Sequence, residues 1–212
     1  MARCPPNLVE GMTKKEAWAI VGGLGKPSKM PGKSYGISAT LCKVGSALRK
    51  VPGSVCSGCY ALKGQYRFPE VTNAHAKRLA SLSDPRWVEA MVVLLRKERW
   101  FRWHDSGDIQ SPSHLEKICE IAERCPNTRF WIPTREKVFV YTVLKRRGAF
   151  PRNLTVRVSG TMIDGPPPAA FPHTSTVVSF NATCPAHMQD NKCGDCRRCW
   201  DRRVKNVSYR FH

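Results

Sequence analysis

The sequence predicts an α/β protein: a partial parallel (β/α) barrel carrying a cysteine-rich C-terminal segment. Three observations lead there. From Trp100 to Gly160 short apolar strands alternate with amphipathic helices, the connections between them are only a few residues long, and polar residues gather where strands end. Strand–helix–strand units of this kind give parallel strands joined by right-handed helical crossovers. A partial barrel fits better than a doubly wound sheet, although periodicity by itself does not choose between them.

The elements follow in order. "TKKEAWAIVGGLG" predicts a short helix beginning near Thr13 and stopped by glycines. "KSYGISATLC" reads as an extended piece running into Cys42, and the Gly-, Ser- and Pro-rich stretch between Cys42 and Cys59 as an ordered loop. "EVTNAHAKRLASL" and "DPRWVEAMVVLLRKERW" predict two helices, the second capped by Asp84 with Pro85 in its first turn and Val88, Met91, Val92 and Leu95 on one face. "WFRWH" is a strand ending at Asp105. "SPSHLEKICEIAERC" is a helix with Ser111 as cap, "TRFWIP" a strand, "REKVFVYTVLKRRG" a helix closed by Gly148, and "NLTVRVSG" a strand. "DGPPPAAFPH" can be neither helix nor sheet and forms a stiff connection. "TSTVVSF" is a further strand, and the tail "RRVKNVSYRFH" suits a closing edge strand. The whole is expected to be one domain, 1–212, with a metal-binding segment, 181–203, packed on it.

Composition narrows the function. With 42% hydrophobic and 24% charged residues, wholesale disorder is excluded. No run approaches the roughly 20 apolar residues of a membrane span, and the N-terminus has no signal-like apolar stretch. A cytosolic protein is expected. The formal charge of +19 favours a polyanion such as nucleic acid, with solubility or a partner protein as the plainer reasons for it. Ten cysteines in a reducing compartment point to metal or redox chemistry rather than disulfides.

Three strands end in "HDSGD" (104–108), "PTRE" (133–136) and "RVSGT" (157–161). In parallel α/β folds that edge is the binding face, so His104, Asp105, Asp108, Thr134, Arg135, Arg157 and Ser159 are expected to converge. His104, Asp105, Asp108 and Arg135 are the candidates for catalysis. Helix caps and turns are the plainer reading.

Two cysteine groups stand out. Cys42 is followed after thirteen residues by "CSGCY", with Cys56 and Cys59. Three thiolates leave one iron of a [4Fe–4S] cluster open to another ligand, whereas zinc or a redox dithiol would use the same residues otherwise. Cys184 is followed after eight residues by Cys193, Cys196 and Cys199, whose C-x-x-C-x-x-C spacing matches the start of the bacterial ferredoxin run. Lys192, Arg197 and Arg198 would offset a cluster's charge. One cluster or two are both consistent with this, as is zinc. Cys119, on the apolar face of its helix, reads as core, and neither Cys4 nor Cys125 reads as a ligand. His187 is a lesser candidate ligand. His75, His114 and His173 lack ligand spacing.

"SYGISATLCKVGSALRKVPGSVCSGCYALKGQY", "FRWHDSGDIQSPSHLEKI", "FWIPTRE", "NLTVRVSG" and "CPAH…CGDCRRCW" resemble a tailed-phage gene-product family over most of the chain from Ser34 onward. More loosely, loop cysteines ending in C-x-x-C-Y, then helices and a strand closing in "SGD", resemble the radical S-adenosylmethionine superfamily. That resemblance implies a [4Fe–4S] cluster on Cys42, Cys56 and Cys59, Tyr60 as flanking aromatic, and Ser106, Gly107 and Asp108 as contacts for S-adenosylmethionine. The superfamily's usual C-x-x-x-C-x-x-C spacing is absent, since thirteen residues precede the pair here. The sequence therefore suggests a phage iron–sulfur protein, with redox or radical chemistry on a nucleic-acid-related or host substrate. The alternative is a zinc-stabilised nucleic-acid-binding or host-interaction protein without catalysis.

Overall fold

The computed structural model describes residues 11–211; Cys4 lies outside them. The fold rests on a six-stranded sheet: β1 (Lys33–Tyr35), β2 (Trp100–Trp103), β3 (Arg129–Thr134), β4 (Leu154–Ile163), β5 (Thr174–Val178) and β6 (Asn206–Arg210). All strands are parallel and stand in the order of the sequence, β1-β2-β3-β4-β5-β6. A doubly wound sheet reverses its strand order at a switch point; this one never does. Among the described residues no pairing joins β1 to β6, so the sheet is open.

The helices are α1 (Lys14–Val21), α2 (Lys43–Leu48), α3 (Pro69–Ser81), α4 (Trp87–Leu95), α5 (Pro112–Arg124) and α6 (Lys137–Arg147); α1, α4, α5 and α6 cover one face, and α2 lies at the strand ends. Strand alternation sends Phe101, Trp103, Phe130, Ile132, Leu154, Val156 and Val158 into one core with Trp87, Met91, Leu95, Leu115, Ile118 and Val140 of the helices. Each such side chain contributes about 1.5–3 kcal/mol on burial. The alternate positions face the other way. There Trp131, Trp200 and Val207 form a second cluster, with Trp100, Cys184 and Tyr209 packed against it. The C-terminal cysteine segment therefore covers the face that the helices leave bare.

The caps read from sequence hold where a side chain can reach an amide. Thr13 and Glu16 form a reciprocal capping box on α1, and Ser111 accepts the His114 amide on α5. Helix α4 begins later than expected, at Trp87, because Asp84 uses its carboxylate on the Arg86 amide and guanidinium.

Two expectations need larger correction. The stretch after Cys42 contains the helix α2, which composition concealed. Six residues with a glycine among them do not nucleate a helix alone, and this one is capped from another element, as described below. Strand β4 runs to Ile163, so Arg157 and Ser159 lie within it rather than at its end.

Candidate metal centre

Parallel strands put all their C-terminal ends on one edge, and the segment from Cys42 to Cys59 lies across it. Its far end is pinned to β4: the Val55 amide donates to the Thr161 carbonyl at 2.9 Å and the Ile163 amide to that of Gly53 at 3.0 Å. Its near end is held by Glu136, which is buried just beyond β3. Glu136 Oε1 accepts the amides of Lys43 and Val44 at 3.1 and 3.0 Å. A carboxylate there satisfies two orphan donors of α2 and complements its dipole. Cys42 is the residue immediately before that helix, so Glu136 fixes where its thiol stands.

Cys42, Cys56 and Cys59 lie within electrostatic range of one another, together with Asp108 and Glu136. Burial first, then the negative charge of Asp108 and of the other two thiols, pushes Cys42 up to about 12. Burial also raises Cys56, against the lowering effect of Arg135. Gly45 borders the two sulfurs. A methyl group there would stand 3.6 Å from Cys56 Sγ, 3.7 Å from Cys42 Sγ and 2.9 Å from Cys42 Cβ. All nine described cysteines are free thiols.

Among the described residues, no group of three or more His, Cys, Asp or Glu side chains is drawn together closely enough to hold a metal ion. One zinc ion binds its sulfurs at about 2.3 Å. A cubane cluster binds each thiolate to a different iron and so keeps them further apart.

The strand-end residues divide. Thr134, Arg135 and Asp108 come together, with Asp108 at their centre. Its Oδ1 accepts the Thr134 hydroxyl at 2.6 Å and the Ile109 amide at 2.8 Å, and its Oδ2 accepts the Arg135 amide at 2.9 Å. Burial raises its pKa to about 6 against these hydrogen bonds. Asp108 thus ties the end of β2 to the end of β3. The Arg135 side chain reaches the Gly160 carbonyl at 3.3 Å and acts on Cys56. Tyr60 is 52% exposed and donates to the Asp105 carbonyl at 2.6 Å. Ser159 shares a hydrogen bond with Ser175 at 2.9 Å.

Three candidates face elsewhere. His104 has φ 53° and is 3% exposed. Its ring packs against those of Trp103 and of His114 on α5. Gly107 has φ 78° and fits against Ile37, whose Cγ1 would be 2.5 Å from any side chain there; its small size serves packing. Arg157 is fully buried and donates to the carbonyls of Cys199, Thr174, Val204, Lys205, Arg198 and Asp201 at 2.8–3.3 Å. All three of its guanidinium nitrogens are engaged in anchoring the C-terminal segment, so Arg157 does not converge with the other strand-end residues. Asp105 Oδ1 and Ser106 Oγ are buried without hydrogen-bond partners.

The second group gathers on the opposite face. Cys184 and Cys196 each act on Cys193, and Cys184 acts on Cys199. Burial pushes Cys199 up to about 12, and its sulfur stands 3.2 Å from the Tyr209 hydroxyl. The cations acting on these thiols include Arg197 and Arg198, as the spacing suggested, and also Arg102 and Arg157 from the sheet. His187 Nδ1 is occupied with the Cys184 carbonyl at 3.0 Å.

Sequence reading missed Glu136, Gly45, Arg102 and Tyr209. Glu136 was visible in "PTRE" but looked like a helix opener. Arg102 alternates with the core residues Phe101 and Trp103, and that alternation was the available signal.

A singly wound, all-parallel α/β sheet with free thiols grouped across its strand ends and again on its helix-free face defines a cysteine-rich α/β protein. The chain belongs to the Gene product 88 family, which matches it over residues 8–202. That agrees with the resemblance to a phage gene-product family. No curated protein and no solved structure matches the chain. No helix among the described residues is long and apolar enough to cross a membrane.

Proposed function

We propose that this Gene product 88 protein is an iron–sulfur protein whose principal [4Fe–4S] cluster is held by Cys42, Cys56 and Cys59 at the strand ends of a partial barrel. The observation that carries the reading is the grouping of Cys42, Cys56 and Cys59 beside Gly45, where an added methyl group would touch both Cys56 Sγ, at 3.6 Å, and Cys42 Sγ, at 3.7 Å. Arg135, which acts on Cys56, would offset part of the charge of such a group. When bound, such a cluster supplies one-electron chemistry and one iron free for a further ligand.

The chain's own residues position that centre. Glu136 fixes the Cys42 end of the loop, the Gly53 and Val55 backbone fixes the Cys56 end, and Asp108 holds Thr134 and Arg135 beside them. Tyr60 stands at the exposed rim. S-adenosylmethionine fits less well: Gly107 and Asp108, two of its implied contacts, are committed to the protein itself, and no step is assigned to it. The work of the centre is redox or radical chemistry on a nucleic-acid-related or host substrate.

At the second group, four thiols match the ligand count of a closed zinc tetrahedron as well as that of a cluster. Zinc there would make the segment a folding device. Anaerobic purification followed by iron, sulfide and zinc analysis separates these readings. Brown protein with iron and sulfide in stoichiometric amounts, lost in Cys42→Ser/Cys56→Ser, is the expected result. Colourless protein holding only zinc overturns the cluster.

A further inference from the structure

At the N-terminal edge of the sheet, opposite the thiol mouth, three arginines surround one tryptophan. The guanidinium carbons of Arg99, Arg129 and Arg197 stand 5.7, 6.0 and 5.6 Å from the ring centroid of Trp100. Two arrive through the sheet: Arg129 pairs in register with Trp100, and its amide donates to the Arg99 carbonyl at 3.0 Å. The third comes from the C-terminal cysteine segment, between Cys196 and Cys199. Arg99 and Arg129 are exposed.

None of the three has an acidic partner among the described residues. Glu98, next to Arg99, is paired with Lys33 at 2.8 Å. The other ion-paired acids serve Arg86, Arg124, Arg147 and Arg203. Arg99 and Arg129 make no side-chain hydrogen bond within the described residues, so their donor forks are free. Arg197 uses one nitrogen on the carbonyls of Gly194 and Cys196.

An indole face gives each cation about 0.5–1 kcal/mol at an exposed site, while like charges this close repel one another. An anion placed among them removes that repulsion and takes up the free donors. Planar guanidinium forks match phosphate oxygens in pairs. The chain's excess of 35 Lys and Arg over 16 Asp and Glu makes the complementary partner a polyanion.

We propose that the Arg99–Arg129–Arg197 cluster around Trp100 is a docking surface for the phosphate backbone of nucleic acid, bound without regard to base sequence. The surface stands whether or not the cysteines hold iron.

The test is fluorescence anisotropy of a labelled single strand of arbitrary sequence, roughly 20 nucleotides long, titrated at several salt concentrations. Wild type binds, and its affinity falls as salt rises. Arg99→Ala/Arg129→Ala lowers affinity about tenfold or more and reduces the slope of log affinity against log salt by about 1.4, the share of two phosphate contacts on a single strand. Lys14→Ala/Lys15→Ala, on α1 at the helix face, leaves both within error. Millimolar inorganic phosphate at constant ionic strength leaves the strand bound. A melting curve like that of wild type shows that the double variant is folded; Arg99→Gln/Arg129→Gln carries the same test if it is not. An unchanged affinity and slope in the folded variant overturns the proposal, as does displacement by free phosphate, or absence of binding by wild type at low salt.

Discussion

Glu136 reaches across from the end of β3 to accept the Val44 amide at 3.0 Å, so that one carboxylate caps a helix 92 residues earlier in the chain. The helix it caps begins directly after Cys42, and the loop it anchors carries Cys56 and Cys59. The position of the first thiol thus depends on a residue from a different strand.

Glu136→Ala is expected to destabilise the protein by about 1–2 kcal/mol, the usual worth of a lost cap. It should also speed the reaction of Cys42 with a thiol reagent. Glu136→Gln keeps an acceptor and should lose less. Urea unfolding and thiol-labelling rates check both, and labelling at the wild-type rate in the Ala variant would remove Glu136 from the site.

Gly45→Ala separates folding from metal binding. Alanine is favoured over glycine inside a helix by about 1 kcal/mol, which offsets part of the strain of a methyl group 2.9 Å from Cys42 Cβ. The apoprotein should therefore melt within a few degrees of wild type, while anaerobically reconstituted iron falls well below it. Full iron content in this variant would show that the glycine beside the two thiols is not needed.

Arg157→Met should cost about 3–5 kcal/mol, because it removes a donor from each of six carbonyls gathered around a fully buried guanidinium. Lysine should rescue little, since a single ammonium cannot reproduce the planar fork. Limited proteolysis should cut first between residues 181 and 203, where the anchored segment comes loose. Cutting elsewhere would place the role of Arg157 outside that segment.

Acid should unfold the protein through two core histidines. Burial, and then the charge of Lys117, lowers His114 from 6.5 to about 3; burial, then His114 and Arg102, holds His104 well below its usual range. The folded state therefore resists protonation that the unfolded state accepts. The stability from each histidine is complete above about pH 6.5 and lost as pH falls below it, by roughly 1.4 kcal/mol per pH unit. Asp108 runs the other way: raised to about 6, it is protonated in the folded state first and gains stability as pH falls from there toward 4. Two histidines outweigh one carboxylate, so urea midpoints should drop between about pH 6.5 and 4. His114→Phe should flatten that drop and Asp108→Asn steepen it. A midpoint independent of pH in wild type would refute the assignment.

How much of this was legible differs by element. Strands β2, β3 and β4 and helix α5 were readable from their own apolar periods, α5 with Ser111 as its cap, and α6 from its place between two strands and its closing Gly148. Helix α2 was not, because its stability comes from Glu136, and no local pattern announces a cap supplied from another strand. The cysteine groups were visible by spacing, which brings residues three apart to one turn without help from the rest of the fold. His104 was placed correctly at a strand end and assigned the wrong surroundings: its positive φ turns the ring back toward α5.

The sequence by itself determined the all-parallel α/β class, the two cysteine groups and the basic surplus, since periodicity, spacing and composition are properties of neighbouring residues. Only the tertiary structure decided that the strands stand in sequential order, that Arg157 is spent on holding the cysteine segment, and that Arg197 meets Arg99 and Arg129 around Trp100. Each of these depends on contacts between residues far apart in the chain, and burial and charge there are set by the packed whole rather than by any local run of side chains.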